Sequence, residues 1–65
     1  MSKNEFLRKL RRLGATIEAS RGKGGHVGVE LGGRRTFVPT GGGELPTGTM
    51  RAILRQLGLR PDELP

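Results

Sequence analysis

The stretch "HVGVELGGRRTFVP", His26 to Pro39, decides the fold. Val27, Val29 and Leu31 alternate with His26, Gly28 and Glu30, the period of a strand that buries one face. Gly32 and Gly33 can both take positive φ, which a two-residue hairpin turn demands, and Arg34 to Val38 then supplies a second strand that Pro39 ends. The turn also fixes the register. On one face it sets Leu31 opposite Arg34, Val29 opposite Thr36 and Val27 opposite Val38; on the other it sets Glu30 opposite Arg35, Gly28 opposite Phe37 and His26 beside Pro39. A one-residue bulge would exchange the two faces.

The valine face needs a cover, and the flanking sequence provides two helical stripes. Ser2 followed by Glu5 reads as a capping box, after which Phe6, Leu7, Leu10 and Leu13 recur at helical spacing and Gly14 supplies the left-handed stop. Arg8, Lys9, Arg11 and Arg12 fill the rest of that helix and read as a solvated face. At the other end Met50, Ile53, Leu54 and Leu57 form an equivalent stripe, with Thr47 or Thr49 as the expected cap and Gly58 as the stop. Between the first helix and the hairpin, Ala15 to Ser20 alternates as a third strand, and Arg21 to Gly25 is a basic, glycine-rich connection. "TGGGELPTGT" is a loop bridging two layers, and "LRPDELP" is either one helical turn begun by Pro61 or a frayed tail. The expectation is one α+β domain over residues 1–65, an α-β-β-β-α two-layer sandwich with a three-stranded antiparallel sheet, which the family resemblance drawn below likens to a double-stranded-RNA-binding domain.

A chain of 65 residues buries only about 60% of the surface its unfolded form exposes, so the core must be small. Cysteine is absent, which excludes disulfide staples and thiolate metal sites and fits a reducing compartment. No apolar run approaches the roughly 18 residues of a membrane span, and no signal-peptide core follows the N-terminus, so a cytoplasmic location and no membrane partner are expected. Twelve Lys and Arg against six Asp and Glu leave a net charge of +6. That field favours polyanionic partners, nucleic acid first, although it can also serve solubility alone.

The one histidine, His26, belongs by register to the face that the helices leave open, with Arg35 and Phe37 and close to the loop carrying Arg21 and Lys23. Cations hold phosphate, a ring can stack a base, and imidazole can move a proton. Cleaving RNA through its own 2′-hydroxyl needs little beyond those parts. The plainer readings are a solvated strand-edge histidine and a phenylalanine packed under a loop or a partner. "GKGG" lacks the spacing of a phosphate-binding loop. The acids Glu5, Glu18, Glu30, Glu44, Asp62 and Glu63 are scattered over separate elements, which disfavours a metal-dependent site, and no cofactor is expected.

"LRKLRRLGA", then "KGGH", then "FVP", then "GELPTGTMRAILRQLGL", in this order and spacing, resembles the HicA toxins over nearly the whole chain. The resemblance implies an endoribonuclease, an mRNA interferase that cuts mRNA and stops translation without a metal, with a HicB-type antitoxin protein as partner. It implies His26, in the motif Gly24, Gly25, His26, as the catalytic base. Arg21, Lys23, Arg34, Arg35 and Phe37 are the expected RNA contacts, with the arginines shared between RNA and antitoxin in a way the sequence leaves open. Many family members carry a second histidine just after the Val-Pro pair, whereas Val38 and Pro39 are followed here by Thr40. Protonation of the leaving oxygen would then fall to water or to Lys23. The alternative is a non-catalytic RNA-binding module of the same fold; a third is a subunit whose basic surface meets only the antitoxin.

Overall fold

A computed structural model describes residues 1–18 and 25–65. Helix α1 spans Lys3–Arg12, strand β1 Thr16–Glu18, β2 His26–Leu31, β3 Arg34–Pro39 and helix α2 Thr47–Gln56; one 3-10 turn, Pro61–Glu63, follows. The strands form an antiparallel sheet in the order β1-β2-β3. The hairpin register is the expected one at all six positions, from His26 opposite Pro39 to Leu31 opposite Arg34, with no bulge. Gly32 and Gly33 take φ of 59° and 83°. Two consecutive left-handed residues twist the connection in the same sense as the strands, so the hairpin closes without splaying.

Both helices begin and end for identifiable reasons. The Ser2 hydroxyl accepts from the Glu5 amide at 3.1 Å and so caps α1. At its other end Gly14, φ 99°, donates to Arg11 O while the Ala15 amide donates to Leu10 O. This paired closure satisfies two of the carbonyls in the last turn of the helix. It also explains why β1 begins at Thr16 and not at Ala15, since the Ala15 amide is committed to the helix. Ala19, Ser20 and the basic connection Arg21 to Gly24 lie outside the described residues. For α2 the expected threonine cap is corrected: Pro46 occupies the cap position, its carbonyl accepts from Met50, and no side chain caps the helix. Gly58 and Leu59 close its far end on Arg55 and Leu54.

The helices cover one face of the sheet. Phe6 and Leu10 of α1, Val29 and Val38 of the hairpin, Leu45 of the following loop, and Ile53, Leu54 and Leu57 form one buried cluster. Each fully buried side chain of this size contributes roughly 1.5–3 kcal/mol relative to exposure, a large share in so small a domain. The glycine loop closes the cluster at its edge. Lys3 N donates to Gly43 O and Leu45 N to Met1 O, so the loop pairs with the chain before α1 and drives Leu45 inward. The polar Thr36 is also buried here, and its hydroxyl donates to Gln56 Oε1 of α2. Among the described residues no helix is long and apolar enough to cross a membrane.

Candidate nucleic-acid interface

The uncovered face of the sheet is built from alternate residues of three strands. Two cross-strand rows define its centre: Thr16, Glu30 and Arg35, then Glu18, Gly28 and Phe37. His26 and Pro39 form the hairpin's half of a third row at the end of the sheet. His26 is exposed, and Phe37 is 57% exposed, so neither is spent on the core. The ring of Phe37 lies diagonally across from His26, a relation that spans about 7–8 Å between strands. An aromatic face and an imidazole thus share solvent on one side of the molecule.

Local backbone geometry delivers His26 to that position. Gly25 has φ of 85°, a conformation that side-chain-bearing residues rarely adopt. Its carbonyl accepts from Thr40 N at 2.6 Å, which extends the hairpin one step beyond Pro39 and ties down the chain just before the histidine. Thr40 therefore lies against the strand end that carries His26. The threonine hydroxyl at this point is too weakly acidic to hand over a proton near neutral pH as an imidazolium can.

Gly28, without a side chain, floors a depression of about 510 Å³. Glu18, Arg35 and Phe37 of the open face line it together with Val29, Thr36 and Gln56 of the helix side. Arg35 and Glu18 approach to 3.9 Å with both side chains partly exposed. The open face accordingly carries two acids, Glu18 and Glu30, beside the guanidinium of Arg35. Sequence reading placed Glu18 on the polar side of its strand but could not pair it with Arg35. That pairing needs the β1 to β2 register, which the connection between them does not reveal.

Arg34 lies elsewhere. The register puts it on the covered side of the sheet, and its side chain runs against the end of α2: a Cβ built on Gly58 would lie 2.9 Å from Arg34 Nε. There the guanidinium faces the negative end of a helix. Of the five expected RNA contacts, Arg35 and Phe37 share the face of His26, Arg34 does not, and Arg21 and Lys23 lie outside the described residues. No cluster of three metal-ligating His, Asp or Glu side chains occurs among the described residues.

An α-β-β-β-α sandwich on a three-stranded antiparallel sheet is the arrangement of a double-stranded-RNA-binding-domain-like protein. Residues 4–59 match the family described as the HicA toxin of bacterial toxin–antitoxin systems. The chain is also 39% identical over 61 residues to a protein of Pseudomonas fluorescens (strain Pf0-1) called a probable mRNA interferase HicA, an alignment covering 92% of this chain and 98% of the relative. The chain belongs to the HicA toxin family. No solved structure matches it significantly.

Proposed function

We propose that this protein is an endoribonuclease that cleaves mRNA without a metal and thereby blocks translation, with His26 as its general base. The observation that carries the reading is an exposed imidazole on the sheet's uncovered face, beside an exposed aromatic ring, in a chain of this family. The neutral ring takes the proton of a ribose 2′-hydroxyl. The freed oxygen attacks the adjacent phosphorus, the bond to the 5′-oxygen breaks, and a 2′,3′-cyclic phosphate remains on one fragment. The departing 5′-oxygen takes a proton from water or from Lys23. Negative charge gathers on the non-bridging phosphoryl oxygens as this happens, and Arg35 is the described cation on the same face that can meet it. Phe37 stacks a flanking base and holds the strand.

The partner that restrains the activity is a HicB-type antitoxin, and the site of action is the cytoplasm, where mRNA is translated. The same fold and charge could serve an RNA binder that cuts nothing, and one experiment separates the two. Purified protein is incubated with mRNA in excess chelator, and the ends are mapped. The expected products carry 2′,3′-cyclic phosphate and 5′-hydroxyl ends, and a substrate with a 2′-deoxy sugar at the mapped position is not cut there. Binding with no cleavage, or cleavage of the deoxy substrate, contradicts the mechanism.

A further inference from the structure

The cations of α1 are arranged more narrowly than solubility requires. At about 100° per residue, Arg8 and Arg12 fall diametrically opposite the buried Phe6 and Leu10, with Arg11 beside them. All three are exposed. Among the described residues, the ion pairs involve the Met1 amine, Arg35 and Arg60 and none of the α1 arginines. Arg8 and Arg12 are like charges one turn apart and repel each other. With Glu5 and Lys9 they line a shallow groove of about 250 Å³. The helix thus holds an outward ridge of guanidinium groups in which cations outnumber the one acid, Glu5, and none of its arginines forms an ion pair among the described residues. It lies behind the sheet, on the side remote from His26, where it cannot take part in chemistry at that residue.

We propose that this ridge is a second RNA-binding surface, which grips the phosphate backbone of the substrate at a distance from the cleaved bond. The inference rests on the reading of this protein as an RNA-cleaving enzyme and adds to it a requirement for length. Guanidinium groups suit phosphate because their planar fork can donate two hydrogen bonds to one group. The charge argument favours a polyanion over a folded acidic protein: the three arginines form a line along one helix, matched to a linear array of charges. The molecule measures 28 × 25 × 18 Å. A strand passing from the open face around an edge to the ridge crosses the thickness and about half of each face, roughly 40 Å, or about twelve nucleotides at a stacked rise of 3.4 Å each. Oligonucleotides of four residues reach one surface; those of twelve or more reach both.

The test uses the full chain carrying His26→Ala, which removes cleavage and leaves binding measurable. Affinity for a four-residue and a sixteen-residue single-stranded RNA is followed against salt, with and without Arg8→Gln and Arg12→Gln together. Each lost phosphate contact lowers the salt slope by about 0.7 for a single strand. The double change should therefore lower the slope by about 1.4, equivalent to roughly 25-fold weaker binding of the long RNA at 0.1 M salt if the difference vanishes at 1 M. The short RNA should be unaffected. Arg8→Lys with Arg12→Lys should recover most of the slope, which separates charge from misfolding. An unchanged slope for the long RNA overturns the proposal while leaving the ribonuclease reading intact. Loss of antitoxin binding with no change in RNA binding also overturns it and assigns the ridge to the protein partner. If the parent binds neither RNA, both readings fail together.

Discussion

Gly25→Ala probes the link between backbone and site more sharply than any change at the site itself. A Cβ at residue 25 meets nothing within 4 Å among the described residues, so the substitution is read chiefly through its backbone conformation. Holding alanine at φ of 85° costs about 1–2 kcal/mol, offset by about 0.4–1 kcal/mol from the smaller entropy of the unfolded chain. If the peptide instead rotates to a negative φ, it loses the 2.6 Å bond from Thr40 N to Gly25 O, about 0.5–1.5 kcal/mol. Either route gives a net loss near 1 kcal/mol, which lowers Tm by roughly 4–8 °C in a domain of this size. The functional loss should be larger than the stability loss. A shift of about 1 Å in a catalytic group can cost on the order of 100-fold in rate, and His26 is the next residue. Gly25→Asn, which tolerates the left-handed region better, should fall between alanine and the parent in both measurements. Differential scanning calorimetry and a cleavage assay on a defined mRNA suffice. An alanine variant with parental Tm and rate, or an asparagine variant no better than alanine, would falsify the claim that this backbone conformation positions the histidine.

Three further outcomes follow from the packing and the open face. Leu54 is fully buried, so Leu54→Ala should cost about 2–5 kcal/mol against a total near 3–10 kcal/mol for this length, leaving the chain partly unfolded in urea titrations at room temperature. Phe37→Ala removes an exposed ring, so its effect on stability should stay within about 0.5 kcal/mol, while single-stranded RNA binding weakens by about 1–3 kcal/mol through lost stacking; a large fall in Tm would instead mark the ring as structural. Glu18→Gln removes an acid from the open face and a 3.9 Å contact with the exposed Arg35, so stability should change by less than about 1 kcal/mol and RNA affinity should rise at low salt.

Much of this arrangement is legible in the residues because two short signals carry it. The Gly32-Gly33 turn sets the hairpin register, and that register places His26, Arg35 and Phe37 together and sends Val29 and Val38 inward. It places Arg34 on the covered side as well, as the pairing of Leu31 with Arg34 had indicated. The first strand was less legible. A helix closure takes the amide of Ala15, so the strand begins at Thr16, and no turn signal in the sequence sets its register against β2, so the meeting of Glu18 with Arg35 could not be read in advance. The start of α2 misled for another reason: Thr47 and Thr49 have the chemistry of a cap, but Pro46, with φ of −59°, already directs the chain into the helix and its carbonyl accepts the first bond. The part-buried pairing of Thr36 with Gln56 joins a strand to a helix twenty residues later, and no local pattern announces such a contact. The cationic ridge of α1, by contrast, is plain from helical spacing; that its arginines form no ion pair among the described residues appears only in three dimensions.

The most direct measurement is the single-turnover rate of mRNA cleavage in excess chelator by the parent and by His26→Ala, both shown to be folded by their thermal transitions. With His26 as base, removing the imidazole should slow cleavage by about 100- to 10,000-fold while RNA binding persists. A rate within a few-fold of the parent would move the chemistry to another group and leave the exposed histidine a bystander.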